Sequence, residues 1–239
     1  MLNLGPWLSR SFQAFFATPG QYALMGLAWL SFVFVVTMVL CLPLLVLIPI
    51  GEHVQAEWLV VAAMLPVLVT GWAVQGVGVA GLHRAITRQL REGQWRIGDL
   101  VPLDVAFSAS MLTTLLGFLS MASLLLCMVP FVFMMGAWGL AMPALVHERR
   151  GAFQALGRSW ELSRDHFWEL MLYFLVAGII FMAVSYIPFI GPFIAWPILT
   201  LMSVVPYEAL AAGEVVEDAG QVEIDVFDPD NPYQAPRRV

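Results

Sequence analysis

Residues 142–170 read M-P-A-L-V-H-E-R-R-G-A-F-Q-A-L-G-R-S-W-E-L-S-R-D-H-F-W-E-L. This is the longest charged segment with a regular pattern in an otherwise apolar chain, and long hydrophobic runs lie on both sides of it. Phe153, Leu156, Trp160 and Phe167 recur at helical spacing, with Arg158, Glu161, Arg164 and Asp165 between them. An apolar face set against a charged one predicts an amphipathic helix over about residues 148–166, lying where a membrane meets water.

Composition agrees with that placement. Of the 239 residues, 60% are hydrophobic and 12% charged, with mean hydropathy +0.82; soluble domains carry about 25% charged residues. A water-soluble core of this size has no way to hide so much apolar surface, so lipid is the solvent for most of the chain. Apolar runs predict spans at Tyr22–Ile48, Trp58–Leu82, Val105–Val129, Phe131–Val146, Phe167–Ile187 and Phe193–Leu210. The expected fold is an all-α, polytopic membrane helix bundle of six transmembrane helices occupying residues 1–212. Residues 213–239 form an acidic, proline-containing tail that lacks the apolar surface to fold, and are expected to be disordered.

The charges orient the bundle. All 11 basic residues are arginine, at positions 10, 84–96, 149–164 and 237–238. With six spans, those four places fall on one side of the membrane, and the positive-inside rule makes that side cytoplasmic. An odd number of spans would split them. The net charge of −6 is concentrated in the tail, which carries seven acids against two arginines and leaves −1 on the membrane body. No basic field points to nucleic acid.

At the N-terminus, Pro6–Phe16 is a second amphipathic segment, giving an interfacial helix over about residues 6–17. Trp7, Leu8, Phe12, Phe15 and Phe16 share one face and Arg10 and Gln13 the other. Val54-Gln55-Ala56 loosely fits a signal-peptidase site. The apolar run before it far exceeds the roughly 7–15 residues of a signal core, so an uncleaved first span is expected. Ser9-Arg10-Ser11-Phe12 and Gly157-Arg158-Ser159-Trp160 echo one another ahead of spans one and five.

Candidate chemistry is sparse. Gly76-Val77-Gly78-Val79-Ala80-Gly81 satisfies G-x-G-x-x-G, but it ends a long apolar helix rather than following a strand, so no dinucleotide site is expected. Gly76 and Ala80 instead form a small-xxx-small pair that lets another helix approach. Gln75 and Glu208 are the polar residues placed within spans; Glu208, near the cytoplasmic end of span six, is expected to reach water or a loop arginine. The hydroxyls of span three are expected to bond back to their own helix. His53, His83, His147 and His166 are expected in loops or at helix ends. Cys41 and Cys127 read as small apolar-facing residues. Pro43, Pro143 and Pro197 are expected to break spans. Arg84, Arg88, Glu148, Arg158, Glu161, Arg164 and Asp165 could form an ion-pair latch between the two arginine-bearing segments. No catalytic residues, metal site or cofactor are expected. In the tail, Asn231, Pro232, Tyr233 and Pro236 form a candidate docking peptide for another membrane or cytoplasmic protein, the alternative being a plain spacer.

Three motifs carry a family resemblance: E-R-R-G-A-F-Q-A-L-G-R-S-W-E-L-S-R with F-W-E-L (148–170), I-P-F-I-G-P (187–192) and V-P-Y-E-A-L (205–210). Through these the chain resembles the membrane domain attached to some glycerophosphodiester phosphodiesterases, together with related six-span bacterial proteins. The resemblance covers about Leu100–Leu210. It implies a six-helix bundle in a bacterial inner membrane; in the phosphodiesterase fusions the chemistry sits in a separate soluble domain. The function expected is a structural, interaction or lipid-organising bundle whose partners are membrane lipids, and the alternative is a transporter for a lipid or apolar small molecule.

If the helix of residues 148–166 is interfacial, Trp160→Asp damages membrane insertion or folding far more than Gln154→Asp. Yields of folded protein from membranes measure this, and equal tolerance of the two changes would remove the interfacial assignment.

Overall fold

The computed structural model describes residues 4–53, 57–125, 129–188 and 191–213. The tail docking candidates Asn231, Pro232, Tyr233 and Pro236 lie outside the described residues, as do Cys127 and the side chain of Cys41. Among the described residues the regular structure is entirely helical: α1 (Leu4–Ala17), α2 (Pro19–His53), α3 (Glu57–Glu92), α4 (Ala106–Leu125), α5 (Val129–Trp138), α6 (Ala141–Glu148), α7 (Ala152–Ser163), α8 (Phe167–Ser185) and α9 (Gly191–Ala211), with 3-10 turns at Ile97–Leu100 and Arg164–His166. Among the described residues six stretches are long and apolar enough to cross a membrane: Pro19–Val39, Met64–Glu92, Ala106–Ser123, Pro130–Glu148, Ala152–Ser185 and Phe193–Ala211. The chain is an all-α helical bundle of membrane type.

The long helices close into a ring. Successive neighbours are α4, α3, α2, α9, α8 and α5, and α5 returns to α4. The short α6 sits inside one end of this ring against α3, α4, α7 and α9, with Ala141, Pro143, Ala144, Leu145 and Val146 all buried. Aromatic pairs fasten neighbouring helices: Trp29 to Trp196 (centroids 4.5 Å apart), Trp72 to Phe118 (5.1 Å) and Phe133 to Phe167 (4.7 Å).

Several boundaries differ from the sequence expectation, for one reason. In lipid an interrupted backbone exposes polar groups that water cannot satisfy, so helices run on where sequence punctuation suggests a stop. Helix α2 continues through Pro43 and Pro49 to His53, and α9 continues through Pro197 and Pro206. Helix α3 passes Leu82 and runs to Glu92, so His83 lies inside a helix and is buried rather than at a helix end. Span four is the exception, divided into α5 and α6 at Gly139-Leu140. Pro143 does not make that break; it sits in the first turn of α6, where a missing amide hydrogen costs nothing.

Glycines in α3 allow this ring to close. A Cβ on Gly76 would strike Thr113 and the carbonyl of Ala109 on α4, and one on Gly81 would strike the backbone of Leu100. Helix α1, expected as an interfacial helix, also packs into the bundle. Trp7 and Phe15 are buried in the core, and the Trp7 ring meets Tyr173 of α8 edge-on at 5.7 Å; Leu8 and Phe12 are partly buried, and Phe16 stays exposed.

Gly76→Val should therefore lower the bundle's resistance to denaturation by about 1–3 kcal/mol, an overpacking cost. Gly71→Ala, where a new Cβ meets open space, should be neutral or mildly stabilising. Thermal melts in detergent report both, and equal losses at the two positions would mean that α3 and α4 do not meet at Gly76.

Candidate functional site

Polar side chains gather where α6 and α7 meet the C-terminal halves of α3 and α9. Thr87 of α3 lies one helical turn beyond His83, and its Oγ1 is 2.9 Å from Nε2 of His147 on α6. The His147 ring rests against Tyr207 of α9, centroids 5.0 Å apart. Glu148, the last residue of α6, collects three partners. The Tyr207 hydroxyl donates to its Oε1 at 2.9 Å, Nε of Arg158 on α7 donates to the same oxygen at 3.1 Å, and Arg150 pairs with its other oxygen. Arg149 then takes the left-handed conformation (φ 50°) that reverses the chain into α7.

Helix α7 is held to the bundle by its small side chains. Ala152, Ala155, Ser159 and Ser163 are buried, and both serine hydroxyls donate to the carbonyl of Ala137, at 2.9 and 3.3 Å. That carbonyl belongs to the last turn of α5, where the helix ends before a backbone amide can reach it. Phe153 and Trp160, 64% and 44% exposed, point away from the bundle, with Leu156 and Phe167 intermediate. Sequence reading placed the aromatic face of this helix and missed the small one. Its signal was present: Ala152, Ala155, Ser159 and Ser163 keep helical spacing throughout.

The predicted latch divides into two clusters. Arg84 pairs with Asp104 (2.6 Å), and Arg88 with Glu92 (2.8 Å) and Asp99 (3.2 Å); none of these partners belongs to α7. Arg158 joins Glu148 and Glu161 (3.3 Å), and Arg164 pairs with its neighbour Asp165 (3.6 Å). The two arginine-bearing segments are tied instead through Asp104, which also receives Arg149 (3.7 Å), and through the Thr87–His147 contact. Glu208 takes Arg91 of α3 at 3.1 Å. Gln75 is half-buried. Of the span-three hydroxyls, Thr113 and Ser123 bond back to their own helix, whereas Ser110 crosses to the carbonyl of Ala73 at 2.8 Å.

Beside the break between α5 and α6 lies a partly open cavity of about 210 Å³. Its wall is mostly apolar, with Met135, Met142, Phe174, Trp196 and Leu199, and carries polar groups at His83, Thr200 and Ser203. His83 Nδ1 is 2.8 Å from the Val79 carbonyl, which can only accept, so that nitrogen carries a proton. Nε2 faces Ser203 Oγ at 2.9 Å, and Ser203 Oγ also lies 2.8 Å from the Thr200 carbonyl. A neutral ring accepts the serine proton at Nε2; a cationic ring donates there and sends the serine proton to Thr200. The polar residues at this cavity are His83, Thr200 and Ser203; Gln75 and the span-three hydroxyls are not part of its wall.

No protein-family model, curated protein or solved structure matches the chain. The site is therefore read from its own chemistry.

The Asp104 carboxyl lies outside the membrane-spanning stretches. The hydrogen bond from Arg84 holds it below the usual carboxylate range; burial opposes this, and the charges of Arg84 and Arg149 add to it. Its folded pKa is below its unfolded one, so its stabilising contribution is complete above the unfolded pKa and is lost as pH falls through the folded value. Asp104→Asn should lower the melting temperature at neutral pH, and the gap to the parent should close in acid. A gap that stays constant with pH would mean that the carboxylate charge is not what joins the two segments.

Proposed function

We propose that this chain is a six-span protein of a bacterial inner membrane, with both termini cytoplasmic, that organises lipids or partner proteins around itself without a catalytic centre. The observation that carries the reading is the mutual engagement of the polar groups at the arginine-bearing end. Glu148 is occupied by Tyr207, Arg150 and Arg158, and Asp104 by Arg84 and Arg149. Groups so paired serve to fix helices in place. Large apolar side chains such as Phe34, Phe118, Ile179 and Met182 face outward, as a lipid-contacting surface requires. The likeness of residues 100–210 to the phosphodiesterase-linked membrane domain supports the same assignment, and the tail around Tyr233 would supply a second contact for a protein partner.

A second reading, a carrier for a lipid or apolar small molecule, draws on the cavity beside His83.

Two measurements test the proposal. In a background lacking Cys41 and Cys127, His53→Cys should label from outside intact cells and Arg149→Cys only after permeabilisation; external labelling of Arg149→Cys would overturn the orientation. In reconstituted vesicles the protein should retain bound lipid through native mass spectrometry without moving a labelled lipid between leaflets. Protein-dependent transbilayer movement would transfer the assignment to the carrier.

A further inference from the structure

We infer that the cavity between α3, α5, α6, α8 and α9 is a binding site for a small neutral amphiphile: an apolar body carrying a hydroxyl, taken up from the lipid phase. The inference holds whether the bundle only organises its surroundings or moves a solute, because it concerns occupancy alone.

Size sets the first limit. A cavity of about 210 Å³ exceeds the roughly 150 Å³ that accepts benzene in an engineered apolar core, so it has room for a short aliphatic chain or a substituted ring. The wall sets the second. Met135, Met142, Phe174, Trp196 and Leu199 offer apolar, polarisable surface, and two flexible methionines adapt to irregular shapes. Gly139 belongs to the same wall, where a Cβ would collide with the Phe174 ring and the Met135 carbonyl.

Hydrogen-bond accounting sets the third limit and selects the head group. His83, Thr200 and Ser203 are all more than nine-tenths buried, at 4%, 3% and 8% exposure. The Thr200 hydroxyl donates to the Trp196 carbonyl at 2.9 Å. The Ser203 proton goes either to His83 Nε2 or to the Thr200 carbonyl, and His83 Nδ1–H goes to Val79. In both protonation states of His83 the protons of these three side chains are spent inside the protein, while the Thr200 and Ser203 oxygens keep acceptor capacity. A carboxylate or phosphate would enter a low-dielectric cavity and find no donor on His83, Thr200 or Ser203, at a large desolvation cost. A hydroxyl brings its own proton and can place it on the Thr200 oxygen, which donates to Trp196 and accepts from no group among the described residues, whereas the Ser203 oxygen is engaged with His83.

The test uses the full chain in lipid nanodiscs and two photoreactive probes, a diazirine-bearing octanol and the matching diazirine-bearing octane. The octanol probe should label Met135–Met142 and Trp196–Ser203, and unlabelled octanol should compete whereas octanoate should not. Thr200→Val keeps the side-chain shape and removes one acceptor. It should weaken octanol competition about fivefold, the worth of one hydrogen bond, and leave labelling by the octane probe unchanged. Leu199→Trp should fill the cavity and abolish labelling of both segments by either probe; each variant must melt as the parent does to be scored. Octanol labelling confined to outward residues such as Phe34 and Met38 would overturn the site. Octanoate competing as well as octanol, or a Thr200→Val protein indistinguishable from the parent, would overturn the hydroxyl assignment.

Discussion

One carboxylate closes the arginine-bearing end of this bundle. Glu148 ends α6 and receives Tyr207 from α9, Arg158 from α7 and Arg150 from the turn between them. Its side chain is only 23% exposed, and that of Arg158 only 29%, so water screens these contacts less than a surface pair. Hydrogen bonds to charged groups contribute about 1.5–3 kcal/mol each where they are shielded. The consecutive α6 and α7 are thereby tied to α9, whose Tyr207 lies 59 residues beyond Glu148 along the chain. Asp104 plays the smaller, more exposed counterpart, drawing Arg84 of α3 and Arg149 of the α6–α7 turn to one point.

Away from that end, burial in lipid gives the helices no hydrophobic drive toward each other, and close packing and interhelical hydrogen bonds must supply the attraction. The contacts follow this rule. Gly76 and Gly81 bring α3 against α4 and against Leu100, and Ser110 adds a hydrogen bond to Ala73 in the same interface. Trp29, tilted against Trp196, fills the opposite side beside Gly78.

How much of this was legible in the sequence depends on what each residue's partner is. Spans show because apolar run length answers to bilayer thickness, a property outside the chain. The small-xxx-small pair at Gly76 and Ala80 shows because spacing alone defines it. The ion pairs were half legible: Arg158 with Glu161 is a neighbour on one helix, but Tyr207 with Glu148 and Asp104 with Arg84 and Arg149 join residues whose proximity only the fold creates. His83 was misplaced for a related reason. A histidine followed by an arginine reads as a span boundary, yet α3 continues past it, and its second partner Ser203 lies on a helix 120 residues away. Helix α1 reads as interfacial from its aromatics, and nothing local reveals that Trp7 meets Tyr173 of α8.

The break in span four connects these features. Dividing a membrane helix frees carbonyls in its last turn, and lipid offers them no donor. Ser159 and Ser163 of α7 supply donors to Ala137, so α7 must lie against the end of α5. Holding α7 there turns its small face inward and leaves Phe153 and Trp160 outward, which is the amphipathic pattern seen in the sequence. The same break sets α6 apart from the line of α5, and the space beside Gly139 becomes the cavity bounded by Met135, Met142 and His83. The lead-in helix α1 repeats part of this arrangement: Ser11, the counterpart of Ser159 in the sequence echo, is buried against Tyr173 and bonds a backbone carbonyl of its own helix. Ser159 gives its proton to a carbonyl of the broken neighbour, whereas Ser11 gives its proton to Trp7 of its own helix and meets the unbroken α8 only through the Tyr173 hydroxyl, at 3.3 Å. The amphipathic stretch of residues 142–170 is thus as much an internal hydrogen-bond donor to a split helix as a surface for lipid.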